Sequence, residues 1–295
     1  MNKNNLFTKI YMVLLTVFTI YVILDTFVLQ SSYTVINNQT SSVGEVITGN
    51  VNKTSNLYED DNIKIEIKEY YENSTKIYVA DVKVKNISYL KTAFAKNTYG
   101  KNITDKTSSI AKSLNAILAI NGDYYGVQTS GYVLKNGQIY RNTAKNNQED
   151  LVIYEDGSFK IINESEESLE NLKQNGAKEV LSFGPALVKS GEISVSTSSE
   201  VGKAMASNPR TAIGIVTENH YVFVVSDGRT SESKGLSLYQ LANFMKEKLN
   251  VETAYNLDGG GSSTMYFNGE IVNNPTTNGN KISERSVSDI VYIGY

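Results

Sequence analysis

The stretch Ala254 to Val272, AYNLDGGGSSTMYFNGEIV, sets the architecture. A β-rich run stops at Asp258, three glycines and a Ser-Ser-Thr cluster follow, and a second run, MYF, is turned back by Asn268-Gly269 onto EIV. An x-Gly dipeptide between apolar or β-branched segments supplies the φ > 0 positions of a tight hairpin, so the strands it joins run antiparallel. The pattern recurs in VLKNGQIY around Asn136-Gly137, VIYEDGSFKII around Asp156-Gly157 and LVKSGEISV around Ser190-Gly191. Ile63, Ile65 and Ile67 alternate with charged residues, and Tyr78, Ala80, Val82 and Val84 alternate with Val79, Asp81 and Lys83. Period two predicts half-buried strands.

Helices are fewer. Thr107 to Asn115 forms one; Ser165 to Gln174 forms another, with Ser165 as N-cap and Gly176 just past its end. The clearest runs from Ser237 to Leu249, where Ser237 and Gln240 make a capping box and Leu241, Phe244, Met245 and Leu249 line one face. Helices scattered among hairpins predict an α+β fold: a mixed, largely antiparallel β-sheet with a few packed helices.

Composition restricts the chemistry. The 295 residues include no Cys and a single His, His220, with Lys+Arg 28 against Asp+Glu 31. Disulfides, thiolate metal sites, cysteine nucleophiles and multi-histidine metal centres are excluded. A net charge of -3 supplies no field for a polyanion, so no nucleic-acid partner is expected. Carboxylates, Arg, Lys, Tyr, Asn, Ser and backbone amides remain. His220, at the edge of an apolar strand, reads as structural.

The front end is different in kind. Ile10 to Leu24, IYMVLLTVFTIYVIL, has no charge, and continuation to Leu29 gives twenty residues, roughly 30 Å of helix. Lys3 and Lys9 precede it and the next basic residue is Lys53, so a cytoplasmic N-terminus and an exported remainder are expected. A cleaved signal peptide is the rival, but residues 25–40 carry no Ala-type small-x-small site. The expected organisation is a transmembrane signal-anchor over 1–29, contacting the lipid bilayer through residues 10–29, a polar tether over 30–57 and one domain over 58–295, with the motifs in 116–295. Within 30–57, sixteen of twenty-eight residues are Ser, Thr, Asn or Gln, which suits a solvated tether.

Four loops combine a strand end, a glycine turn and polar groups: Asn121-Gly122-Asp123-Tyr124-Tyr125, Gly184-Pro185, Asn208-Pro209-Arg210, and the pair Ser226-Asp227-Gly228-Arg229 with Asn256 to Thr264. Arg210 can present its planar fork to phosphate or carboxylate. Asp227 and Asp258 each follow a β-rich run and precede Gly, which puts two carboxylates at strand ends. Gly259, Gly260 and Gly261 are entropically costly unless backbone must approach something closely, and their amides can form an anion nest.

In order, NGDYYG, FGPALV, NPRTAIGI, VVSDGRT, GLSLYQLANFMKEKL and NLDGGGSSTMYFNGEIVNNP resemble the phosphodiester glycosidase family from about Ala116 to Tyr295. Asp123 stands where many members have a second Gly, and the disulfide cysteines of mammalian members are absent. The resemblance implies hydrolysis of a sugar C1 to phosphate bond in a carbohydrate phosphodiester, and the expected anchor together with the motif loops points to envelope or secreted polysaccharide as the substrate. On that basis Arg210 and the Gly259–Gly261 amides face phosphate; Asp258 and Asp227 face the sugar carbon as the two catalytic carboxylates. Asn121, Asp123, Tyr124, Ser262 and Ser263 contact substrate, and Asn256 orients Asp258. No cofactor is required on this reading, although Asp123, Asp227 and Asp258 together are an alternative Ca²⁺ site. A non-catalytic glycan-binding module and a glycosidase indifferent to phosphate are the competing functions.

Overall fold

The structure, a computed structural model, describes residues 3–32, 51–199 and 207–295. Most of the expected tether, residues 33–50, lies outside the described residues. The alternating segments form the two longest strands, Ile63–Glu72 and Thr75–Val84, paired along their full length. They belong to a nine-stranded sheet in the order Glu192–Ile193, Ala186–Lys189, Thr253–Asn256, Arg210–Thr217, His220–Ser226, Thr75–Val84, Ile63–Glu72, Leu57–Glu59, Asn52–Lys53. The sheet thus takes in Asn52–Lys53, upstream of the expected domain start at residue 58.

A second sheet orders Glu270–Ile271, Met265–Phe267, Leu118–Asn121, Asp289–Ile293 and Leu90–Phe94; a third orders Gln138–Arg141, Val133–Lys135, Ala177–Leu181, Glu149–Tyr154 and Phe159–Asn163. Among the described residues every strand pair is antiparallel. All four x-Gly dipeptides turn hairpins, and at Asn136-Gly137, Ser190-Gly191 and Asn268-Gly269 both residues have positive φ, as a type I′ turn requires.

The main core lies between the large sheet and the two smaller ones. Ile65, Val82, Ile213, Phe223 and Tyr255 point into it, meeting Leu118, Ile120 and Val291 of the second sheet and Leu151 and Ile153 of the third. The other face of the large sheet buries Ile77, Val79, Val222, Val224 and Ala254. Thr75–Val84, expected to be half-buried, is therefore covered on both faces near its middle, where Val79 is 1% exposed.

Among the described residues the α-helices are α1 (Lys3–Phe27), α2 (Thr107–Ser113), α3 (Leu169–Gln174) and α4 (Leu238–Leu249). The cover on that outer face is α4. Its capping box forms as expected, Ser237 Oγ accepting from Gln240 N at 3.1 Å and Gln240 Oε1 from Ser237 N at 2.9 Å. Leu241, Phe244 and Met245 are buried against the sheet, and Phe244 meets Tyr70 edge-on at 5.2 Å. The N-cap of α3 is Ser168, not Ser165. Ser165 is committed elsewhere, its N–H to Asn163 Oδ1 at 2.9 Å and its hydroxyl accepting from Asn147 N at 3.1 Å. Phe7–Phe27 within α1 is long and apolar enough to cross a membrane, and none of its apolar window is buried.

Charge is buried where the second and third sheets meet. Lys135, 2% exposed, places Nζ 2.8 Å from Asp289 Oδ2 and 3.7 Å from Asp123 Oδ2. Burial works against its ammonium, but the charges of Asp123 and Asp289 overcome this and hold its pKa above the ordinary range. Nearby, burial pushes the Glu179 carboxyl up to about 6 although Thr92 Oγ1 donates to it at 2.6 Å. Asp150, fully buried beside Glu164, is pushed well above the usual carboxylate range by burial and by that neighbour.

Both raised carboxyls bind protons in the folded chain that the unfolded chain releases at about pH 4. Their contribution to stability is complete below about pH 4 and is lost as pH rises through the folded values. Urea midpoints are expected to fall from about pH 5 to about pH 7.5 in wild type, and Asp150→Asn with Glu179→Gln flattens that slope; an unaltered slope counts against it. Ser237→Ala is expected to lower unfolding free energy by about 1 kcal/mol in the same assay.

Candidate active site

The register of the large sheet decides what meets at its edge. Arg210 opens one strand, and its antiparallel neighbours end at Ser226 and Asn256, so Arg210, Asp227 and Asp258 all emerge on the same edge. There a cavity of about 180 Å³ is lined by Phe183, Asn208, Arg210, Arg229, Asn256, Leu257, Asp258, Gly259, Gly260 and Arg285. Its charged lining is three guanidiniums and one carboxylate.

Asp258 is fixed through its peptide. Its N–H donates to Gly122 O at 3.2 Å and its carbonyl accepts from Asn121 Nδ2 at 2.6 Å. Burial raises its carboxyl pKa, the Asp123 charge adds to this, and the Ser262 hydroxyl, the Gly259 amide and the Arg285 guanidinium oppose it. Asn256 lies beneath, donating to Gly184 O at 2.8 Å, with a buried Oδ1 that has no hydrogen-bond partner among the described residues. Arg210 is held by Leu236 O, which accepts from Nε at 2.9 Å, and by Ser226 Oγ, which accepts from its backbone N–H at 3.0 Å.

Arg229 lies in the SDGR motif loop but is not among the expected site residues, and Arg285 lies in no motif, yet both complete the site. Asn208 Oδ1 accepts from Arg229 Nη2 at 2.9 Å, and Thr277 O accepts from Nη1. Burial, and secondly the charge of Arg285, lower the Arg229 pKa, so the two cations lie within each other's field. Neither is ion-paired to a carboxylate among the described residues. The glycines make room for them. A Cβ on Gly260, whose φ is +62°, would stand 2.8 Å from Arg229 Nη2, and one on Gly261 would stand 2.7 Å from Arg285 Nη2.

Of the three amides expected to face phosphate, that of Gly260 is turned inward and that of Gly259 supports the Asp258 carboxylate. The Gly260 N–H is spent on Pro209 O at 2.8 Å, and the Ser262 and Ser263 amides close onto Gly259 and Gly260 carbonyls. Positive charge at the cavity comes from guanidiniums. Ser262 and Ser263 are buried behind the glycine turn, Ser262 against Asp258 and Ser263 with its carbonyl accepting from Asn273 Nδ2 at 3.0 Å.

Asp227 is not brought beside Asp258. It lines a separate cavity of about 280 Å³ with Asn274, Thr230 and Lys76. Its oxygens accept from Asn274 N at 2.8 Å, Asn273 Nδ2 and Asn274 Nδ2 at 3.2 Å and Tyr78 Oη at 3.3 Å, the pattern of a carboxylate that holds a loop. Asp123 is likewise spent, on Tyr125 N at 3.1 Å, Ser182 N at 3.0 Å and Lys135. Asn121 braces the Asp258 loop and does not line the cavity. Among the described residues no group of three or more His, Cys, Asp or Glu is placed to hold a metal ion, which removes the basis for Ca²⁺ at Asp123, Asp227 and Asp258. Tyr124 stands with φ +67°, half exposed, and its phenol pKa is raised by burial and by the charge of Asp258. His220 pairs with Asp81 at 2.7 Å, away from the cavity lining.

The chain is 28% identical over 203 residues to a Bacillus subtilis (strain 168) protein described as SPbeta prophage-derived and uncharacterized, covering 67% of this chain and 31% of that one. It is 28% identical over 174 residues to mouse N-acetylglucosamine-1-phosphodiester alpha-N-acetylglucosaminidase, covering 54% of this chain and 33% of the relative. It thus spans about a third of the length of these curated relatives. The catalytic domain of the zebrafish enzyme of the same name, solved as auto-inhibited by its pro-peptide, superposes with TM-score 0.63 at 23% identity over 79% of this chain and 83% of that one. A Synechocystis protein superposes with TM-score 0.57 at 14% identity, over 79% of this chain and 62% of that one. The fold is therefore shared with both. The profile of phosphodiester glycosidases matches residues 114–294, more than half of the chain, and the chain belongs to that family.

Proposed function

We propose that the chain is a membrane-anchored, extracytoplasmic hydrolase that cleaves the sugar C1 to phosphate bond of glycosyl phosphodiesters in envelope or secreted polysaccharide. The observation that carries this reading is a cavity whose charged lining is Arg210, Arg229, Arg285 and one partly buried carboxylate, Asp258. A surplus of guanidinium suits a phosphodiester anion. Family membership supports the reaction class, and the apolar α1 supports export with 1–29 as anchor, followed by a linking segment and a catalytic unit that begins at Asn52, where the large sheet starts.

The chemistry follows from what leaves. Water adds at C1, the C1–O bond breaks, and the oxygen departs with its electron pair on a phosphomonoester whose second pKa is about 6. Such a group leaves as an anion, so fixed positive charge serves it better than a strong acid. Arg210, Arg229 and Arg285 hold the phosphate through both states. Asp258, set against the sugar, stabilises the oxocarbenium-like carbon and accepts the proton of the attacking water. Asn256 Oδ1 takes a sugar hydroxyl, and Tyr124 offers its ring at the rim. Asp227, Asp123 and Asn121 act by holding loops.

The test is release of free sugar and phosphomonoester in equal amounts from a panel of glycosyl-1-phosphodiesters, with matched glycosides lacking phosphate as control. Equal turnover of both sets selects a glycosidase indifferent to phosphate, and binding without release selects a glycan-binding module. Asp258→Asn is expected to lower kcat by about 10²- to 10⁴-fold while inorganic phosphate still binds. Wild-type kcat/KM falls as pH drops through an acid limb displaced above about 3.9, because the folded site disfavours the carboxylate that the reaction uses. Arg229→Ala removes charge-assisted contacts worth about 1.5–3 kcal/mol, so phosphate affinity drops about 10- to 200-fold in calorimetry. Retained phosphate affinity in Arg229→Ala removes that arginine from the anion site.

A further inference from the structure

A third cavity, of about 370 Å³, is bordered by Tyr125 and Gly126, just after Tyr124 in sequence. Its lining includes Tyr99, Lys101, Gln128, Tyr140, Arg141 and Thr143. Tyr99 and Tyr140 lie 5.1 Å apart between ring centroids, and Phe94 packs edge-on to Tyr140 at 4.8 Å. Arg141 stiffens the wall, its Nε donating to Gly131 O at 2.6 Å and its Nη1 to Gln128 O at 2.7 Å and Tyr125 O at 3.1 Å.

The end of α1 is joined to this same place. Lys101 Nζ lies 3.1 Å from Asp25 Oδ2, and Asn102 Nδ2 donates to Thr26 O at 3.1 Å and Leu29 O at 3.0 Å. Two residues on, Ser31 and Ser32 pair antiparallel with Lys101 and Gly100. If Phe7–Phe27 crosses a bilayer, residues 25–32 leave it at the interface, and the groups bonded to them sit at that depth. Lys101 and Asn102 are two such groups, and the tyrosine cavity begins at Tyr99.

We propose that this face, built around Tyr99, Lys101, Tyr140 and Arg141, seats the domain on the phospholipid headgroup layer of the membrane that α1 crosses. The proposal rests on the anchor part of the functional reading and not on the reaction. Tyrosine suits the lipid–water boundary because its ring is apolar and its phenol polar, and Arg141, whose Nη2 takes no part in the three carbonyl bonds, meets a headgroup phosphate there. Lys101 neutralises Asp25, the acidic residue nearest the interface, so the anchor's end and the domain are tied by charge as well as by backbone pairing. Val127, 38% exposed on the adjoining turn, adds apolar surface to the same face.

The chain contains no Trp, so one introduced indole reports its own surroundings. The full-length chain carrying Tyr140→Trp is reconstituted into phospholipid nanodiscs in which part of the lipid bears a nitroxide on its headgroup. A control carries Tyr71→Trp, at an exposed position on the last turn-side residues of Ile63–Glu72. The expected result is a marked loss of emission from Tyr140→Trp, little from Tyr71→Trp, and recovery of the Tyr140→Trp emission when Lys101→Glu sets a like charge beside Asp25. Equal emission loss at the two positions, or loss that persists with Lys101→Glu, overturns the docking. The intact mass of each reconstituted chain separates the two readings. A chain that has lost residues 1–29 refutes the anchor, whereas an intact chain without Tyr140→Trp quenching refutes the docked face alone.

Discussion

The side-chain amide of Asn121 joins two sheets at the point where the candidate chemistry sits. It is fully buried, donates to Asp258 O at 2.6 Å, and accepts from Thr211 Oγ1 at 2.8 Å and Thr264 N at 3.3 Å. Thr211 belongs to the large sheet, Asn121 to the second, and Thr264 to the loop between them. An amide without these partners would leave unsatisfied polar groups in a low-dielectric interior, so the arrangement is all or nothing. The next residue tightens the joint: a Cβ on Gly122 would stand 2.3 Å from Asp289 Oδ1, so only glycine lets the backbone reach that carboxylate. Asp258 is thus aimed by backbone bonds, with its carboxylate left for other work.

Around it, electrostatics divides labour between buried and open charges. Lys135 is enclosed by Asp123 and Asp289, and a buried charge is tolerable only with such company. Arg229 and Arg285 make no ion pair with a carboxylate among the described residues and lie in one another's field, an arrangement that an arriving anion relieves, while Arg285 also acts on Asp258. The fold matches charge closely in the interior and less closely at the cavity.

Much of the fold was legible because it is local. Turn chemistry at Asn136-Gly137 or Asn268-Gly269 and the Ser237–Gln240 capping box depend on neighbours in sequence, and these appear as expected. The N-cap of α3 moved from Ser165 to Ser168 because a local Asx turn at Asn163 competed for Ser165. The site was half legible. Arg210, Asn256, Asp258, Gly259 and Gly260, all in motif loops, line one cavity. Asp227 and Asp123 resemble Asp258 in sequence, each at a strand end beside glycine, and only the hydrogen bonds each receives separate a loop-holding carboxylate from an open one. Arg285 had no signal at all, because nothing in KISERSVSD distinguishes it; its place follows from the glycine run against which it lies.

The second sheet is closed by one of the last strands in the sequence. Its strand Asp289–Ile293 lies between Leu118–Asn121 and Leu90–Phe94, and it brings the carboxylate that meets Lys135. The strand pairs that close this sheet, such as Asp289 with Phe94, join residues far apart in sequence, and so does the contact of Lys135 with Asp289. Pairings of that separation form only after a long loop has closed, which makes them slow to find. The interior charges are therefore matched late in folding, by the strand that completes the sheet.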